Sequence, residues 1–255
     1  MTNIVRIGAC QTPEIIGNPS EALACMIQFA KEAEDKNVDL LLFPECFLTG
    51  YILSESFVEE YSYDFESEQF AAILKQLEHI NPVLVFGVNE KKSGQYFNSA
   101  VVIDKGKLIG VYRKTHLIDP NELFYTPGNE YPTFEIKSLK YGINICYDAQ
   151  FADAAKAVAD HGAQILLSLT QNMLRCETAE YWKDKHSEIC VERVKETGLW
   201  YVRSDVTGIR PPGQYGVERI GYGPTLAISP KVEIVSQVPP MTVGMITVDI
   251  PVDQQ

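Results

Sequence analysis

Tyr141-Gly142-Ile143-Asn144-Ile145-Cys146-Tyr147-Asp148 is an apolar run that stops abruptly at a thiol. Lys140 to Ile145 reads as a strand, Phe151 to His161 as an Ala-rich helix closed by Gly162, and Gln164 to Leu169 as a returning strand. A strand–helix–strand order of this kind marks an α/β class.

Outward from that unit the alternation continues. The start, Met1 to Ile7, reads directly as a strand, with Ile4 to Cys10 as its body. Asn18-Pro19-Ser20 opens a helix whose apolar positions Ala22, Met26, Phe29, Ala30 and Ala33 recur at helical spacing. Asp39 to Phe43 is a buried-type strand halted by Pro44. Phe70 to Ile80 is expected as a helix, Pro82 to Val88 and Ser99 to Ile103 as strands. Asp104-Lys105-Gly106 is a turn signal that makes a hairpin with Leu108 to Tyr112. Glu180 to Thr197 reads as a long helix stopped by Gly198, and Trp200 to Ser204 as a strand. Pro211-Pro212-Gly213 marks an exposed loop. Thr225 to Ile228, Val232 to Ser236 and Met245 to Val248 supply closing strands. Strands on both sides of the midpoint predict two mixed sheets packed together and covered by helices. With no linker, repeat or low-complexity tract, one domain over 1–255 is expected.

The chain has 255 residues, 45% of them hydrophobic, enough for a substantial core. A formal charge of −12 argues against nucleic acid, whose binding rests on clustered Lys and Arg. The acids between Glu55 and Glu68 read as a solvated face without calcium-loop spacing. No apolar run is long enough for a membrane span. Without a signal peptide or a Cys-x-x-Cys pair, a cytoplasmic protein with reduced thiols is expected. Cys10, Cys25, Cys46, Cys176 and Cys190 are expected to be small core residues.

Cys146 differs by position, because its strand ends there and a helix begins soon after. Such a turn exposes a nucleophile and aims backbone N–H groups at an incoming oxygen. A thiol there needs a base, or a cation that lowers its pKa. Glu45, after Leu40-Leu41-Leu42-Phe43-Pro44, is a candidate base, and Lys114, leaving the hairpin strand, a candidate oxyanion stabiliser. Taken singly, each also fits an ordinary surface role. Glu122, in a loop of turn residues, has the weakest independent case. None of His79, His116, His161 and His186 stands out as the base. A Gly-x-Ser-x-Gly elbow and a phosphate-cradling Gly loop are both absent.

Taken together, these segments resemble the nitrilase superfamily of carbon–nitrogen hydrolases, in its amidase branches. Phe43-Pro44-Glu45 before Thr49-Gly50-Tyr51 is similar to the family's base segment. Arg113-Lys114-Thr115-His116-Leu117 is similar to its lysine segment, and Asn144-Ile145-Cys146-Tyr147-Asp148 to its nucleophile segment. Glu122, ahead of Phe124-Tyr125-Thr126-Pro127-Gly128, falls where many members carry a second glutamate. The resemblance implies a four-layer α-β-β-α sandwich and self-association as a homodimer or larger homo-oligomer. The chain's end soon after Asp249-Ile250-Pro251 points to a compact one. It implies a small amide or N-carbamoyl substrate cleaved through a Cys146 thioester, with no metal or organic cofactor. Tyr51, Tyr147, Gln171 and Asn172 are candidate pocket residues, and Arg175 a candidate for a substrate carboxylate. Two departures, Ala149-Gln150-Phe151-Ala152-Asp153 after the nucleophile and Gly221-Tyr222-Gly223-Pro224 later, weaken transfer of substrate identity. Rival readings are a nitrile hydrolase or acyl transferase of the same superfamily, and a non-catalytic binding protein with this fold.

Overall fold

A computed structural model describes residues 3–252. Met1 and Thr2 of the expected first strand, and the ends of the expected 1–255 domain, lie outside the described residues. In chain order the elements begin with β1 (Asn3–Pro13), α1 (Pro19–Asp35), β2 (Leu40–Leu42), α2 (Glu55–Tyr61) and α3 (Glu68–Gln76). Next come β3 (Val83–Lys92), β4 (Gln95–Asp104), β5 (Lys107–Arg113), β6 (Thr133–Ile136) and β7 (Leu139–Ile145). A 3₁₀ turn (Cys146–Gln150), α4 (Ala152–Asp160), β8 (Ile165–Leu169), β9 (Leu174–Arg175) and α5 (Cys176–Thr197) follow. The chain closes with β10 (Trp200–Arg210), β11 (Arg219–Tyr222), β12 (Leu226–Ile228), β13 (Ile234–Gln237) and β14 (Gly244–Val252).

One sheet runs β5-β4-β3-β2-β1, with β14 antiparallel to β1. The other runs β6-β7-β8-β10, extended by β12 and β13. Both are mixed: β1, β2 and β3 are parallel, while β3, β4 and β5 form antiparallel hairpins. Strand β10 belongs to both sheets. Its first half pairs with β8 from Trp200↔Ile165 to Ser204↔Leu169, and its second half pairs with β1 from Gln11↔Asp205 to Pro13↔Thr207. Sequence reading stopped this strand at Ser204, because the polar Asp205 to Arg210 stretch carries no apolar period.

Between the sheets lies a core of alternating residues, including Val5, Ile7 and Ala9 of β1 and Ile143 and Ile145 of β7. Strand β14 states the period plainly: Ile246, Val248, Ile250 and Val252 are buried and their neighbours face outward. Outside the first sheet, α1 and α3 cover Leu41, Phe43 and Phe86 with Met26, Phe29 and Phe70. Outside the second, α4 and α5 cover Leu166 and Tyr201 with Val158 and Val194. The layers are therefore α-β-β-α, as expected. A Leu→Ala change in the inner layer would cost roughly 2–5 kcal/mol.

Local chemistry explains the boundaries. Asn18 caps α1 by accepting from Glu21 N–H, with Pro19 at the first helical position. Ser67 caps α3 through Phe70 N–H, which starts this helix two residues before the expected Phe70. Helix α2 was not expected; it buries only Phe57 and Val58 while its acids face solvent. The β6–β7 hairpin was also missed, since its turn uses Lys137 and Ser138 at positive φ instead of Gly or Asn.

Candidate active site

Three loops at the C-terminal ends of strands meet here. Glu45 follows β2, Lys114 follows β5, and Cys146 follows β7. The Glu45 loop lies tightly on β3: a Cβ at Gly87 would come within 2.1 Å of the Cys46 backbone nitrogen. Only glycine tolerates that approach. The lysine loop is closed on its far side by Gly128, whose N–H donates to the Lys114 carbonyl at 2.8 Å.

Lys114 Nζ donates to Glu45 Oε1 and to Glu122 Oε1, each at 2.9 Å, and all three side chains are 0% exposed. Asn98 Nδ2 also donates to Glu45 Oε1 at 2.8 Å. Glu45 Oε2 has no hydrogen-bond partner among the described residues. Glu122 is held from both sides: the Tyr51 hydroxyl donates to Oε1 at 2.9 Å and Ile118 N–H to Oε2 at 2.8 Å. The residue with the weakest sequence case is thus fully integrated into the cluster.

Two carboxylates facing one ammonium leave an excess negative charge away from water. Burial raises the pKa of Glu45, and Glu122 adds to this against the pull of Lys114. For Lys114 burial opposes the charge, but the two carboxylates of Glu45 and Glu122 outweigh it and the pKa rises. Lys114 therefore stays an ammonium. Burial, reinforced by Glu45, also pushes the Cys146 thiol up; Lys114 and the Gln171 backbone N–H only partly oppose it. At neutral pH the sulfur carries its proton, and a neighbouring base is required to remove it.

Cys146 has φ +44°, an unfavourable conformation for a side-chain-bearing residue that costs about 1–3 kcal/mol. Its strain is stabilised by Asp148, fully buried two residues later. Asp148 Oδ2 accepts from Ile145 N–H at 2.9 Å and Tyr112 hydroxyl at 2.7 Å. Its Oδ1 accepts from His116 N–H at 2.8 Å and from the Thr115 hydroxyl at 3.0 Å. One carboxylate so joins the lysine segment to the nucleophile segment.

A cavity of about 780 Å³ opens above the thiol, within the usual size of small-molecule sites. Cys146, Tyr51, Tyr147, Gln171 and Asn172 all line it. Glu45, Lys114 and Glu122 are not in its lining; they are buried behind it, and the Tyr51 hydroxyl, which does line it, links Glu122 to it. Asn172 Oδ1 is 3.9 Å from the sulfur. Its amide donates to Asp205 at 2.6 Å, and Asp205 is paired with Arg203 at 2.8 Å. Sequence reading missed Asp148, Arg203 and Asp205 as site supports. Asp148 alone had a signal, its place in the Cys-Tyr-Asp triplet.

Two expectations change. Arg175 is exposed and outside the cavity, because it precedes α5 on the outer surface. Cys176 is exposed at the first position of α5, with its thiol donating to Glu218, so it is not a core residue. Among the described residues no cluster of His, Cys, Asp and Glu could hold a metal ion, and no helix is long and apolar enough to cross a membrane.

A family model described as carbon-nitrogen hydrolase matches residues 6–254. A nitrilase-named protein of Schizosaccharomyces pombe is 32% identical over 153 residues, 57% of this chain and 56% of that protein. An (R)-stereoselective amidase of Pseudomonas sp is 24% identical over 177 residues, 69% of this chain and 62% of that protein. A human omega-amidase is 28% identical over 150 residues, 54% of each. The matches span little more than half the length of these relatives. Among solved structures, a mutant amidase from Nesterenkonia sp. AN1 with acrylamide added at its active-site cysteine superposes with TM-score 0.81. It is 23% identical and covers 97% of this chain and 93% of its own. Another mutant of that amidase, described as of the nitrilase superfamily, gives 0.81 at 24% identity over 97% of this chain and 90% of its own. At such identities the likeness is one of fold.

Proposed function

The chain belongs to the carbon–nitrogen hydrolase family, and from that premise we propose that it cleaves a small carboxamide or N-carbamoyl compound through a thioester on Cys146. One observation carries the reading. Among the described residues one oxygen of Glu45 has no partner while the other is fixed by Lys114 and Asn98, and the Cys146 thiol, whose pKa burial and Glu45 raise, lines a ligand-sized cavity.

Glu45 takes the thiol proton as the sulfur attacks the carbonyl carbon. The electron pair moves to the carbonyl oxygen, which Lys114 and the Tyr147 backbone N–H stabilise. Loss of one such donor costs roughly 10²–10³ in rate at comparable sites. Glu45 then hands its proton to the leaving nitrogen, and ammonia or an amine departs as the thioester forms. Water, deprotonated by Glu45, attacks the thioester; the carboxylic acid leaves and the thiol is restored. Glu122 holds Lys114 in place and balances its charge. The chemistry uses protein groups throughout. The reading extends to one domain over 1–255 that self-associates and works in the cytoplasm on a small molecule.

Ammonia release from a panel of amides, ureido acids and nitriles tests it, with Cys146→Ala as control and mass spectrometry of the acyl-enzyme. Thioester formation with amides and not nitriles is expected. Turnover of nitriles alone, or transfer to an added amine in preference to water, would replace it with the corresponding rival. Failure of Cys146 to react selectively with iodoacetamide would favour a non-catalytic binding protein.

A further inference from the structure

The cavity above Cys146 has a second polar wall. Arg210 ends β10, Arg219 begins β11, and the two stand directly opposite each other in the antiparallel ladder. Both line the cavity. Like charges in this position repel, so the arrangement needs a counter-charge. Among the described residues Glu14 alone is paired with either of them, with Oε1 at 3.5 Å from Arg210 Nη1. Glu14 is already engaged by the Gln171 amide, and Arg219 spends one donor on the Met173 carbonyl at 3.0 Å.

Arg210 is left undercompensated. Its side chain is 11% exposed, and its Nε and Nη1 have no hydrogen-bond partner among the described residues. A buried cation in that state is costly unless an anion joins it. Burial, with Arg219, holds its pKa below the ordinary arginine value despite Glu14. The other charges on the cavity wall do not supply the anion. Arg203 is consumed by Asp205, Glu60 is solvent-exposed, and burial and Arg203 push His186 down to about 3, which keeps it neutral. In a protein of net charge −12, one wall of the cavity carries two cations against a single acid.

We propose that Arg210, backed by Arg219, binds a carboxylate of the substrate, so that the bond cleaved at Cys146 belongs to a small amide with an anionic far end. The planar guanidinium matches a carboxylate in a way that an ammonium does not. Gln171 links the two ends of the site, since it lines the cavity beside the nucleophile and donates to Glu14. This inference rests on the hydrolase reading above and narrows its substrate class.

The test compares monoamides of four- to six-carbon dicarboxylic acids with their methyl esters at the far carboxyl, which have the same chain without the charge. The wild-type protein is expected to favour the charged amides in kcat/KM by about tenfold or more, the scale of one charge-assisted hydrogen bond. Arg210→Gln should bring that ratio close to one, and Arg210→Lys should leave it intermediate. Equal turnover of both series by the wild type, or a ratio that survives Arg210→Gln, overturns the proposal while leaving the hydrolase reading intact. Calorimetry of the same compounds with Cys146→Ala separates the two claims. Charge-selective binding that Arg210→Gln abolishes, without hydrolysis by the wild type, would support the Arg210 site and remove the hydrolase reading. Binding indifferent to charge would overturn the site itself.

Discussion

Asp148 grips His116 at two points: Oδ1 accepts the His116 backbone N–H at 2.8 Å and lies 3.2 Å from the ring Nδ1. His116 is two residues beyond Lys114, and Asp148 two beyond Cys146. A single buried carboxylate thus fixes how far the ammonium stands from the sulfur. The His116 ring also stacks on Phe151 with centroids 4.0 Å apart, so the residue where the chain departs from the family pattern takes part in the same joint.

Replacing Asp148 with Asn should loosen that joint. The amide would turn donors toward N–H groups that now donate to the carboxylate, leaving buried groups unpaired. A loss of about 3–5 kcal/mol is expected, as for other broken buried charge networks. Measured in a variant that still folds, kcat should fall more than KM rises. An unchanged kcat would remove the positioning role.

The His116 ring gives this joint a pH dependence. Its pKa is raised above 6.5, first by the hydrogen bond with Asp148, against burial. A raised pKa means that the folded state holds the proton more tightly. The stabilisation is present in full below 6.5 and is lost as pH rises through the folded value. The Tm gap between wild type and His116→Gln should therefore be wider at pH 6 than at pH 8. About 1 kcal/mol corresponds to roughly 2–4 °C at this size. A gap independent of pH would refute the linkage.

Cys146→Ala is expected to abolish ammonia release while circular dichroism and Tm stay close to wild type. Removing the Sγ also relieves none of the φ strain, so no large stabilisation should accompany it. Retained turnover would exclude Cys146 as nucleophile.

As the proposed base, Glu45 is expected to set the acid limb of the rate profile. Only its ionised form can take the thiol proton, and burial raises its pKa. Activity should fall as pH drops through a midpoint above the ordinary 4.5. Glu45→Gln should lower kcat by roughly 10²–10⁴, the range of general-base catalysis. A kcat/KM profile with its limb at or below 4.5 in the wild type would argue for another base.

Gly87→Ala reaches the site from behind. The added methyl meets the Cys46 backbone at 2.1 Å and the Glu45 Cα at 2.7 Å, so the loop must move. A displacement of about 1 Å at a catalytic group can cost 10²-fold in rate. The expected result is a kcat loss well beyond what the drop in Tm explains; wild-type kcat would show that the loop has slack.

Much of this was legible in advance where a residue's meaning is local. Asn18-Pro19 announced α1, Asp104-Lys105-Gly106 announced a hairpin with Lys105 and Gly106 at positive φ, and Gly198 stopped α5 in the left-handed region. Cys146 was distinctive because its strand ends there. Helix α2 and the β6–β7 hairpin were not legible, since one has too few apolar residues for a period and the other turns without its usual residues.

By itself the amino-acid sequence determined the alternation of strands and helices, the family, and the order of Glu45, Lys114, Glu122 and Cys146 along the chain. These follow from periodicity, turn chemistry and short motifs, whose physical basis spans only a few residues. Tertiary structure decided that β10 bridges both sheets, that Asp205 on it steadies Asn172 beside the sulfur, and that Arg210 and Arg219 are strand neighbours on one wall of the cavity. Those pairings join residues distant in sequence or set by strand register. A polar side chain carries no local mark of the partner it will meet once water is excluded.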